Sequence, residues 1–197
     1  MKKPIVHKKY LRLYEETARQ KVLEVLFRFP DKEFSLSDLA KEASVAKANI
    51  GKILLELEKW EFISVTRLSK IWRIMANRDN WDFKKSKIIY NLNFVYKSGL
   101  VEFLIDYFKN PKCIVLFGSF GKGEDIASSD IDIAIENENS EGYKVTGLRE
   151  LLEFEKIIRR NIQLHLFNQS NVDEGVFNNI INGVVLFGFL EVNHGKK

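Results

Sequence analysis

Between residues 116 and 135 the chain reads LFGSFGKGEDIASSDIDIAI. Two groups of residues in this stretch have types and spacing suited to phosphate chemistry. The first is Gly118-Ser119, placed where the apolar run CIVLF (113–117) ends. A strand that enters a Gly/Ser turn and then a helix presents backbone N–H groups to phosphate oxygens. Glycine lets a ligand approach the backbone, and Gly121 and Gly123 add room. This is not a Walker loop, because Gly123 is followed by Glu124 rather than by lysine. The second group is Asp130 and Asp132. On a strand, residues i and i+2 share a face, and Ile131, Ile133 and Ile135 fill the other face. Adjacent carboxylates repel unless a cation lies between them. The pair points to a hard ion, Mg²⁺ or Mn²⁺, shared with the phosphates of a nucleotide. Two such ions about 4 Å apart would clamp the attacking and leaving oxygens of a phosphoryl transfer. The plainer alternative is an edge strand with a solvated polar face, flanked by Ser128 and Ser129.

The elements that must position these residues follow from periodicity. Residues 15–29 predict a helix with Val22, Leu23, Val25, Leu26 and Phe29 as its apolar stripe, stopped by Pro30-Asp31. Ser35 or Ser37 caps a short helix over 38–43. Ser44 caps a third over 46–60, with Ile50, Ile53, Leu54 and Leu57 inward. Two β-prone runs, 62–68 and 71–77, join at Ser69-Lys70 as a hairpin. Three short helices and a hairpin make the order of a winged helix-turn-helix. Residues 80–110 form a mostly helical connector, broken at Ser98-Gly99. Beyond it, strands at 113–117, 131–135 and 162–167 alternate with helices at 148–160 and 172–182, and an apolar run covers 184–187. The expected class is α+β: a winged helix-turn-helix over 1–79, a connector over 80–110, and a mixed sheet with helices on one face over 111–197.

Bulk properties narrow the setting. Residues 1–110 carry 22 Lys/Arg against 14 Asp/Glu, a balance of +8; residues 111–197 carry 9 against 13, a balance of −4. Opposite halves suggest two tasks, and the basic one suits a polyanion or simply a solvated lysine-rich face. The single Cys113 leaves no internal disulfide or cysteine zinc site. Apolar runs are too short to span a membrane, and no secretory leader is legible, so a cytoplasmic protein is expected.

Turn and aspartates together form a more specific pattern: G-S-x-x-x-G, a short loop, then [ST]-D-[ILV]-D-[ILV]. Here it stands as Gly118-Ser119-Phe120-Gly121-Lys122-Gly123 and Ser129-Asp130-Ile131-Asp132-Ile133. Over roughly residues 100–190 this resembles the polymerase-β-like nucleotidyltransferases, above all the minimal prokaryotic and archaeal ones with a winged helix ahead of the domain. The resemblance implies transfer of a nucleoside monophosphate from an NTP, ATP being expected, to a hydroxyl on a protein, a tRNA or a small molecule. It implies that Gly118 and Ser119 hold the triphosphate, with Lys122, Gly123 and Ser129 beside them, and that Asp130 and Asp132 bind the metals. Active members of the family use a third carboxylate on a later strand. The matching strand, IQLHLF, offers only Gln163 and His165 on the expected face. His165 is a candidate base or a structural histidine beside the cleft. It is a poor Mg²⁺ ligand, because hard ions prefer oxygen.

In the basic half, Lys47, Asn49 and Lys52 fall on the outer side of the third helix, and Arg67, Lys70 and Arg73 on the wing. A winged helix uses these two elements on DNA, although such domains also dock proteins. Two alternatives to an enzyme stand beside it: a DNA-binding regulator that senses nucleotide through a weak catalytic domain, and an antitoxin-like partner of a second protein.

Overall fold

The computed structural model describes residues 17–69, 71–137, 142–170 and 172–191. Lys70, one of the wing residues expected on DNA, lies outside them. The N-terminal half begins with α1 (Ala18–Arg28), α2 (Leu36–Glu42) and α3 (Lys47–Lys59), followed by the antiparallel hairpin β1 (Ile63–Leu68) and β2 (Ile71–Ala76). Thr17 caps α1 by accepting from the Gln20 N–H, and Ser35 caps α2 by accepting from Asp38.

Ser44 does not cap α3 as expected. The N-cap is Ala46, which makes no side-chain bond. Ser44 instead lies at φ 53° just past α2, donating to the Lys41 carbonyl while Val45 donates to Ala40. These are the two bonds of a Schellman closure, so the residue ends one helix rather than starting the next.

The helix α4 (Trp81–Lys97), capped by Asn80, leads into α5 (Leu100–Tyr107) across Gly99 at φ 87°. The sheet comprises β3 (Cys113–Phe117), β4 (Ile131–Glu136), β5 (Lys144–Thr146), β6 (Ile162–Phe167) and β7 (Val184–Gly188). Their spatial order is β5-β6-β4-β3-β7, with β4 and β6 parallel and the other pairs antiparallel. A one-turn helix, α6 (Gly118–Gly121), follows β3; α7 (Leu152–Ile158) precedes β6; α8 (Glu174–Ile181) precedes β7. β5 escapes sequence reading because three residues, KVT, carry no usable period.

Alternation along each strand divides the sheet into two faces. Ile114, Leu116, Ile131, Ile133, Ile135, Ile162 and Leu164 belong to the helix-covered face, in one cluster with Leu100, Leu104 and Phe154. That cluster continues without a break into the N-terminal half through Phe83, whose ring lies 5.1 Å from Phe27 and 5.8 Å from Phe62. The opposite face carries Cys113, Val115, Phe117, Ala134 and Phe167, with α8 contributing Ile180. Asp132, Gln163 and His165 share that opposite face by strand alternation. It is covered by α8 at one part and half-open where the aspartates stand.

Candidate active site

Asp130 and Asp132 leave the loop after α6 and enter β4, where both are half-buried. The parallel register sets Asp132 beside Gln163 and Ala134 beside His165. The amide Nε2 of Gln163 donates to Asp130 Oδ2 at 2.5 Å, and Asn161 Nδ2 donates to Oδ1 at 3.2 Å. His165 Nε2 lies 3.2 Å from Asp132 Oδ1, and its Nδ1 lies 2.6 Å from the Tyr143 hydroxyl. Burial, and next the negative charge of Asp132, raise the Tyr143 pKa, so the phenol keeps its proton near neutral pH. The imidazole thus bridges the phenol at Nδ1 and Asp132 at Nε2. The Phe117 ring, edge-on at 4.8 Å, fixes the imidazole from another side.

Gly118 faces the same aspartate. Its φ is +72°, and a Cβ there would collide with Asp132 Oδ2. Glycine is required on both counts. Ser119 is half-buried in the first turn of α6, whose leading N–H groups have no acceptor within the helix. Lys122 is exposed. Gly123 is buried against α4, where a Cβ would meet Ile88 and the Lys84 carbonyl. Ser129 accepts from the Ile126 N–H and closes its own loop. Thus the turn at 118–119, both aspartates, Gln163 and His165 come together, while Gly123 and Ser129 spend their chemistry on holding the loop. Asp173, an acid near the end of β6, caps α8 by accepting from Gly175 and Val176. Among the described residues no set of three His, Cys, Asp or Glu forms a metal cage.

Behind this loop sits a feature that sequence reading missed. Asp125 and Lys87 are each 1% exposed and paired at 2.8 Å, and Lys87 also donates to the Asp125 carbonyl. Arg160 approaches the other carboxylate oxygen at 3.4 Å and donates to the Arg28 carbonyl at 2.5 Å; Asn91 donates to Asp125 at 2.9 Å and to the Phe120 carbonyl at 2.8 Å. Burial lowers the Lys87 pKa, and the Asp125 carboxylate opposes that shift. Lys84–Glu124 and the bond from Ala127 N–H to Asp31 complete the attachment of loop 120–130 to α4 and the α1–α2 segment. Polar residues at 87 and 91, one turn apart on the apolar face of α4, were the available signal.

On the basic half, Lys47, Asn49 and Lys52 are exposed on α3. Arg67 is held by Glu58 through two bonds, at 3.0 and 2.5 Å, and stacks over Trp72 at 4.9 Å. Arg73 pairs with Glu33 at 2.7 Å. Both wing arginines therefore have acidic partners already. Along α4, Phe83, Tyr90 and Phe94 are buried, and Trp81 and Tyr96 are exposed.

Residues 99–189 match the model of the family described as polymerase beta, nucleotidyltransferase. With the mixed sheet, Asp132 on β4 and Asp130 just ahead of it, this stretch is a nucleotidyltransferase domain of the polymerase-β type. No curated protein matches the chain. Among solved structures, the crystal structure of heme sensor protein PefR from Streptococcus agalactiae in complex with heme aligns at 16% identity and a TM-score of 0.32, covering 51% of this chain and 63% of that one. The same sensor with heme and carbon monoxide aligns at 16% identity and a TM-score of 0.32, over 51% of this chain and 69% of that chain. No described helix is long and apolar enough to cross a membrane.

Proposed function

We propose that this domain binds a nucleoside triphosphate with a divalent cation and transfers the nucleoside monophosphate to a hydroxyl. The observation that carries this reading is the meeting of Gly118 with Asp132: a glycine in a left-handed conformation, at a phosphate-type turn, whose absent Cβ leaves room beside a carboxylate oxygen. The donor set suits a hard cation. Two carboxylates face one side, and their hydrogen-bond partners are neutral amides and an imidazole rather than lysine or arginine. A cation held there by Asp130 and Asp132 would neutralise phosphate charge. Gln163 supplies no third negative charge, which favours a single tightly held ion over two. His165 orients Asp132, and Ser119 and the turn N–H groups receive the phosphates.

The test is incubation with each α-labelled NTP and Mn²⁺ or Mg²⁺, with cell extract as the acceptor source. Label transfer should occur and should be lost in the double variant Asp130→Asn, Asp132→Asn. Equal labelling by that variant would refute the assignment.

A second reading is favoured by the buried attachment of loop 120–130 to α1 and α4. In it, nucleotide at the site alters how the winged helix holds DNA through Lys47, Asn49, Lys52 and the wing. Affinity for duplex DNA, measured over a salt series with and without ATP, should then differ between the two conditions. Superimposable isotherms would eliminate that reading.

A further inference from the structure

A cavity of about 340 Å³ opens between the turn at 127–129 and the last turn of α7. The sheet order fixes its place. Gly118-Ser119 leaves the end of β3, Asp130 precedes β4 and Asn161 precedes β6, so Asp130 stands between the phosphate-type turn and Asn161. Asn161 lines the cavity and donates to Asp130 Oδ1 at 3.2 Å, which sets one end of the cavity a single side chain from the carboxylate. In an in-line displacement the attacking oxygen enters opposite the leaving group. With the triphosphate on the β3 side, that entry is the cavity's. Its walls are rich in donors. Ser128, Lys156 and Arg159 are exposed along it. Arg160, also in the wall, has a side chain only 2% exposed. Its terminal nitrogens reach the Arg159 and Arg28 carbonyls and Asp125, while its Nε–H has no acceptor among the described residues. Glu155, the carboxylate in the wall, turns Oε1 to the Ile162 N–H. Lys156 pairs with Glu153 at 2.8 Å and Arg159 with Glu42 at 2.9 Å. Such solvent-facing pairs are weak, and an anion with better geometry exchanges for them.

We propose that this cavity holds the acceptor of the transfer and that the acceptor is a small phosphomonoester with a free hydroxyl, an inference that rests on the NTP reading above. The hydroxyl lies at the Ser129–Asn161 end, beside Asp130. The phosphate is held by Lys156 and Arg159, with the Ser128 hydroxyl donating to it. The volume suits one such molecule, since ligand pockets begin at about 300 Å³. The acceptor oxygen forms a bond to the α-phosphorus of the NTP. The bond from that phosphorus to the oxygen bridging toward the β-phosphate breaks, and pyrophosphate leaves with its electron pair. The hydroxyl proton passes to water at the exposed rim. The product is a phosphodiester that still carries the acceptor's own phosphomonoester.

The experiment uses the full chain with Mg²⁺ and the α,β-methylene analogue of each NTP in turn. The loaded protein is titrated by calorimetry with glycerol phosphate and ribose phosphate, and with glycerol and ribose as controls. At least one phosphomonoester should bind alongside the analogue, about tenfold or more tighter than its parent polyol. The double variant Lys156→Gln, Arg159→Asn should weaken that binding about tenfold or more. Asparagine tolerates the left-handed conformation of residue 159, at φ 57°. Analogue affinity should stay within about twofold of wild type, and the melting temperature should not move. Analogue binding with no phosphomonoester binding, phosphomonoester binding that the double variant retains, or competition between the two ligands overturns the proposal while leaving the NTP site intact. Failure of every analogue to bind overturns the underlying reading and this one with it. In the extract assay, the labelled product should change mobility on treatment with alkaline phosphatase while keeping its label. Label found only on protein or RNA overturns the proposal.

Discussion

Asp125 and the pair Asp130/Asp132 lie within eight residues of one another on a single loop and strand, and the fold treats them in opposite ways. Asp125 is 1% exposed and meets two cations, Lys87 and Arg160. The Asp132 side chain is 26% exposed and meets an imidazole, and Asp130 meets two amides. A buried carboxylate with cationic partners is already neutralised and can do no more than hold. The half-open pair has amides and an imidazole beside it and, among the described residues, no lysine or arginine. The residue type alone does not separate anchor from site. The partners do.

The largest expected effect comes from removing the anchor. Asp125→Ala leaves Lys87 and Arg160 buried without their counter-charge, and should cost about 3–5 kcal/mol in urea unfolding. A loss well below that would mean that the cluster is wet and that the contrast with Asp132 is weaker than drawn. Next comes Gly118→Ala, which forces a left-handed alanine against Asp132. Stability should fall by about 1–2 kcal/mol, and divalent-ion-dependent nucleotide binding should disappear with it. Gln163→Asp sharpens the comparison from the other side. It adds a carboxylate beside Asp130, where an amide now donates at 2.5 Å. Melting of the ion-free protein should drop by about 1 kcal/mol equivalent, and millimolar Mg²⁺ should restore it. If the ion restores nothing, the face is not a cation site. The smallest effect lies outside both regions. Gly51 sits within α3 with nothing near its missing Cβ, so Gly51→Ala should stabilise by about 0.5–1 kcal/mol. A destabilisation would show that the exposed face of α3 is less open than drawn.

Much of the arrangement was legible along the chain because it depends on local periods. Alternating isoleucines around Asp130 and Asp132 predicted a strand, and β4 runs from Ile131 to Glu136 with Asp132 on it and Asp130 just ahead of it. The 3.6-residue stripes of α1 and α3 were equally local. What failed had one local cause and one tertiary one. Ser44 satisfies the cap rule by type, yet the turn closing α2 places it in a left-handed conformation. Lys87 and Asn91 look like ordinary polar helix residues until loop 120–130 covers them.

The linear order of residues thus determined the elements, the turn at Gly118-Ser119 and the paired aspartates, because each depends on neighbours a few positions apart. Tertiary structure decided what each acid meets. Gln163 and His165 reach Asp130 and Asp132 through the parallel register of β4 with β6, and Tyr143 reaches His165 through a three-residue strand. Register is set by which residues fill the core, and a slip of one position would turn every one of these side chains to the other face. No short window of sequence contains that information. It decides that an imidazole and an amide, rather than a third carboxylate, stand beside the pair.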